Sequence, residues 1–133
     1  MRTILCTVVL LAFAAAATAA TADDLTAAQK TTDNLIKAIV DKDFAAFKDC
    51  VSAKRLAEYN ANNANCAIKR WYDGARDEID KYNAKWEFVK VKTNFPAQVD
   101  LDYKRTMSTG ETTCTINLVK EGDKWLVDAA GSL

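Results

Sequence analysis

Apolar positions along this chain change their period once. Up to Asn83 they recur every three or four residues, and from Lys85 they recur every second residue. The first period belongs to amphipathic helices and the second to half-buried strands. The spacing therefore predicts a helical half and a stranded half, divided near Ala84. Leu25, Ala28, Thr32, Leu35, Ile36, Ile39 and Val40 form one stripe on a helix from about Asp23 to Lys42. Asp23 and Asp24 suit the positive end of its dipole. Asp43 is placed to cap a short second helix whose buried edge is Phe44, Phe47 and Val51. Ser52 can cap a further turn of helix that carries Leu56 and Tyr59. The asparagine-rich run from Asn60 to Asn65 favours an exposed loop over helix interior. A long helix from about Cys66 to Asn83 follows, with Ile68, Trp71, Tyr72, Ala75, Ile79 and Tyr82 at helical spacing. Gly74 inside it predicts either a bend or a close approach to its backbone.

The first strand is predicted from Lys85 to Thr93. Glu87, Val89, Val91 and Thr93 fall on one side; Trp86, Phe88, Lys90 and Lys92 fall on the other. Asn94-Phe95-Pro96 is expected to end it. From Gln98 to Ser108 the alternation is cleaner. Val99, Leu101, Tyr103 and Met107 make a dry face, and Asp100, Asp102, Lys104, Thr106 and Ser108 a wet one. The stretch Glu111 to Ala130 reads as a hairpin turning at Glu121-Gly122-Asp123, where Gly122 supplies the positive φ of a tight loop. Cys114, Ile116 and Leu118 share one face, which Trp125 and Val127 continue on the return. One dry and one wet face predict an α+β fold, with the N-terminal helices packed on one side of an antiparallel sheet of about four strands.

Composition changes this picture at the N-terminus. The chain has 133 residues, half of them apolar, but part of that apolar content lies ahead of the first helix. Arg2 and the apolar run Ile4 to Ala17 have the form of a secretory leader. Ala17-Thr18-Ala19 and Ala20-Thr21-Ala22 both fit a small-x-small cleavage pattern. Residues 1–22 are therefore assigned to a signal peptide and 23–133 to a single domain, secreted or periplasmic; a retained N-terminal anchor is the other reading. The run is shorter than the roughly 20 residues of a comfortable membrane span. The whole chain balances 18 basic against 18 acidic residues, so its bulk charge does not attract nucleic acid or anionic lipid. After the leader three cysteines remain. Cys114 reads as a small buried hydrophobe, which leaves Cys50 and Cys66 as the favoured disulfide in an oxidising compartment.

Candidate chemistry is sparse. The chain has no histidine, so a serine or cysteine nucleophile lacks its usual base. Its cysteines lack the close pairs of structural zinc sites. No phosphate-cradling glycine loop is present. No cofactor or metal is expected. Asp100, Asp102 and Asp128 are the strand carboxylates, and their phase directs them to solvent. Lys90, Lys92, Lys104 and Arg105 are assigned to cross-strand pairing with Glu87, Asp100 and Asp102. Most of the aromatic side chains are assigned to the core. Trp71, Tyr72 and Tyr103 are the candidates for a ligand-binding wall, combining the inner face of the long helix with the dry face of the sheet.

Three local features carry a family resemblance. They are the corner Lys42-Asp43-Phe44 with Phe47, the long strand Val99 to Met107, and the ending Leu118 to Val127. In order and length of elements the chain resembles the nuclear transport factor two-like superfamily, a cystatin-like α+β cone. That resemblance implies a curved sheet wrapping the long helix around a conical pocket. It includes isomerases, dehydratases and polyketide cyclases beside many non-catalytic binding domains. Members built on a histidine–aspartate pair do not transfer to a chain without histidine. The protease-binding Gln-x-Val-x-Gly loop of true cystatins is missing too. The resemblance implies a small exported, non-catalytic binding or accessory domain, taking a small apolar ligand or a protein partner. The alternatives are a module dimerising through its sheet face and an aspartate/tyrosine acid–base isomerase or hydro-lyase.

Overall fold

The computed structural model describes residues 18–133. The leader assigned to residues 1–22 therefore lies mostly outside the described residues. Four helices precede four strands: α1 Ala22–Val40, α2 Phe44–Asp49, α3 Ala53–Ala61, α4 Ala67–Tyr82, β1 Lys85–Phe95, β2 Gln98–Met107, β3 Gly110–Glu121 and β4 Lys124–Ala129. The strands form one antiparallel sheet in the order β1-β2-β3-β4. This is the predicted α+β class.

Three of the four helices begin where a side chain takes an unpaired amide, whereas α4, preceded by Cys66, has no side-chain cap. Thr21 and Asp24 form a reciprocal capping box on α1. Asp43 Oδ1 accepts from the Ala46 amide at 3.0 Å on α2. Ser52 Oγ accepts from the Arg55 amide on α3, and Glu121 accepts from the Ala53 amide beside it. The predicted turn of helix after Ser52 is thus a full helix of nine residues that takes in Asn60. At its C-terminus α1 is capped from outside, because Arg76 of α4 donates to the carbonyls of Ile39 and Val40. The α4 helix runs through Gly74, and a Cβ there would meet nothing within 4 Å. The close-approach reading of that glycine is therefore withdrawn. Asn83 ends α4 in the left-handed region at φ 53°.

The inner face of the sheet is the predicted one. Val99, Leu101, Ile116, Leu118 and Val127 are fully buried in one core with Leu35, Ile39, Phe47 and Ile68, and Cys114 is fully buried as well. The hairpin turns at Gly122 with φ 60°. In β1 the alternation fails, for a physical reason. Register shifts between Phe88 and Lys90 and between Val91 and Thr93 insert residues against β2. Each insertion reverses which residues face inward. Trp86, Phe88 and Val91 pack on the core, whereas Val89 is 52% exposed. Val91 and Phe88 therefore share a face that strict alternation gave them separately. The strand also continues through Phe95, two residues past its predicted end.

Candidate functional site

The proposed wall residues occupy different places. Tyr103 is 1% exposed, stacks edge-on with Phe88, and donates from its hydroxyl to Asp33 Oδ1 at 2.8 Å. Burial, reinforced by the Asp33 carboxylate, pushes its ionisation well above the ordinary tyrosine range. Tyr72 belongs to an aromatic cluster, with ring centroids 4.9 Å from Phe44 and 5.2 Å from Phe47. Trp71 is half-buried beneath the Arg55 guanidinium, 5.4 Å from its ring. All three serve packing between elements, and none lines either of the two surface hollows described below.

Both thiols of the proposed disulfide are free. Cys50 Sγ bonds back to the Ala46 carbonyl in α2, and Cys66, which precedes α4, turns its Sγ to the Asn63 carbonyl. Each thiol thus sits on its own local turn, and the Cys50–Cys66 bridge is not formed. Burial, with Asp49 alongside, pushes the Cys50 thiol up to about 11. Cys114 is fully buried as expected, and its Sγ contacts the Ser132 carbonyl at 2.8 Å.

The strand carboxylates are engaged, contrary to the expectation that solvent holds them. Asp128 accepts from Ser52 Oγ at 2.7 Å and lies 3.9 Å from Arg55 Nε. It sits where a bulge shifts the β3–β4 register, which turns it toward α3. Asp102 is on the outer face but only 6% exposed, lying in register between Lys90 and Thr115. Thr115 Oγ1 donates to it at 2.7 Å, and Asn117 Nδ2 donates to Asp100 at 2.6 Å. Among the lysines assigned to cross-strand pairing, Lys104 does meet Glu87 at 3.8 Å.

Two open concavities of the described surface lie elsewhere. These adjoining hollows of about 330 and 390 Å³ share Asn34, Asp49 and Cys50. Their α1 wall is Ala27, Lys30, Thr31, Asn34, Lys37, Ala38 and Asp41, a second stripe at helical spacing beside the core stripe. From Ala27 to the C-cap Asp41 it spans fifteen residues, about 21 Å along the helix axis. The opposite wall comes from α2 and from the Asp123–Leu126 turn and strand. Thr31 Oγ1 fixes that wall by donating to the Trp125 carbonyl at 2.8 Å. The β4 backbone is closed further along, where Ser52 N–H donates to Val127 and Val127 N–H to Cys50. The groove therefore carries lysines and aspartates on a framework of helix and strand. The hydrophobic pattern missed it because its residues are small or polar. The repeat of Ala27, Thr31, Asn34 and Asp41 along α1 was the available signal.

Among the described residues no group of three or more metal-ligating side chains converges, and no helix is long and apolar enough to cross a membrane. No protein-family model matches the chain, and no curated protein matches it.

Proposed function

We propose that this chain is an exported, non-catalytic accessory domain that holds an extended segment of a protein partner along α1. The observation that carries this reading is the groove between α1, α2 and the β3–β4 turn. At about 3.3 Å per residue, a 21 Å wall accommodates about six extended residues. Its lining alternates Lys30, Lys37 and Lys124 with Asp41, Asp43, Asp49 and Asp123. Such a lining suits the mixed charge and main-chain amides of a peptide better than a small apolar ligand. The engagement of Asp100, Asp102, Asp128 and Tyr103 in bonds within the fold favours a binding role over acid–base chemistry. Likeness to the nuclear transport factor two-like superfamily is compatible with such a role. The alternative of dimerisation through the sheet face is less favoured, because the outer face pairs its polar groups internally.

A photo-crosslinking residue in place of Asn34 should trap one discrete protein adduct in the exporting cell. The same residue in place of Thr113, on the outer face, should trap none. Equal adducts from both positions, or none from position 34, would overturn the proposal.

A further inference from the structure

We infer that the leader is released at the Ala19–Ala20 bond, so that the mature chain begins at Ala20. This rests on the export reading proposed above. Two cleavage patterns fit the sequence, one ending at Ala19 and one at Ala22, and the fold treats the residues between them as part of the domain. Thr18 and Ala19 are exposed, whereas Ala20 is 8% exposed and joins the core. The Ala20 amide donates to Asn94 Oδ1 at 2.8 Å, tying the chain start to the far end of β1. Thr21 Oγ1 accepts from the Asp24 amide, and Asp24 Oδ2 accepts from the Thr21 amide, both at 3.1 Å. The other oxygen of Asp24 accepts from Lys120 Nζ at 3.0 Å and Trp125 Nε1 at 3.1 Å. Ala20 to Asp24 is thus one unit joining α1 to β1 and to the closing hairpin.

Cleavage after Ala22 would discard Ala20 and the Thr21 cap. It would also leave an ammonium on Asp23, at the positive end of the α1 dipole. Cleavage after Ala19 retains every one of these contacts. A peptidase adds water across the bond: the Ala19 carbonyl carbon gains the oxygen and leaves as a carboxylate, and the Ala20 nitrogen leaves as an ammonium. The atoms of water account for both products at neutral pH. The new ammonium keeps a donor for Asn94 and makes that bond charge-assisted.

The full chain, expressed in an exporting host, provides the test. Intact mass and N-terminal sequencing of the exported protein should show a start at Ala20. A start at Asp23 would overturn the inference and leave export standing. An uncleaved chain retained in the cell would overturn both. Thr21→Ala preserves the downstream pattern, and it should lower the melting midpoint of the exported protein by about 5 °C. An unchanged midpoint would mean that residue 21 had departed with the leader, and would overturn the assignment.

Discussion

The two margins of the sheet are held in different ways. Along β4 three of the six residues, Trp125, Val127 and Asp128, are anchored from the helical layer. Asp24 takes Lys120 and Trp125, Thr31 takes the Trp125 carbonyl, Cys50 and Ser52 pair with the Val127 backbone, and Ser52 and Arg55 hold Asp128. Along β1 the bonds are mainly those of the ladder to β2. Val89 and Phe95 are 52% and 56% exposed. Trp86 Nε1 and Arg105 Nε, which lie on register partners, are buried without a hydrogen-bond partner among the described residues. The contrast teaches that cohesion here follows side chains crossing between layers more than strand length. The eleven-residue β1 is longer than the six-residue β4 yet is less tied to the helices.

The largest expected effect separates the two margins directly. Trp125→Ala on β4 removes a side chain that is 2% exposed and should cost about 3–5 kcal/mol in urea unfolding. Val89→Ala on β1 should stay within about 0.5 kcal/mol. Equal losses would erase the comparison. Midway between the margins, Tyr103→Phe deletes the hydroxyl bond from β2 to Asp33 on α1. A loss of about 1.5 kcal/mol is expected in the same measurement. A neutral result would show that ring packing alone holds β2 to the helix.

The smallest effect carries a pH signature. Hydrogen bonds from Trp125 and then Lys120 hold the Asp24 carboxyl well below the ordinary carboxylate range. Because the folded value is depressed, the stabilisation is complete above the unfolded value and fades as pH falls toward the folded one. Asp24→Asn should therefore lower the melting midpoint at neutral pH. The gap from the parent should narrow below about pH 4. A gap that stays constant from pH 7 to pH 2 would remove Asp24 as a charged anchor of the β4 margin.

The sequence was most legible where one period governed a whole element. The α1 and α4 stripes, the Asp43 and Ser52 caps, the Gly122 turn and the buried face of β2 and β3 all follow from local rules. Val40 is an exception at the edge of its stripe, being 51% exposed. Legibility ended where a fact depended on two distant segments. The bulges of β1 depend on its register against β2. The bonds of Asp128 depend on where Ser52 and Arg55 arrive in space. The groove was hidden for the same reason: its α1 wall is polar, and its depth comes from α2 and β4. Cys50 and Cys66 illustrate the limit of elimination, since excluding Cys114 from pairing does not bring the other two sulfurs together.

The two register shifts in β1 also protect the molecule from itself. A long outermost strand offers a row of free amides and carbonyls on which another chain could grow a continuous intermolecular ladder, the first step toward fibres. Inserted residues throw that row out of step and increase its twist, while Lys85, Lys90 and Lys92 add charge that an incoming strand would have to desolvate. The irregularity that defeated the alternating pattern thus acts as a guard against self-templating at the open border.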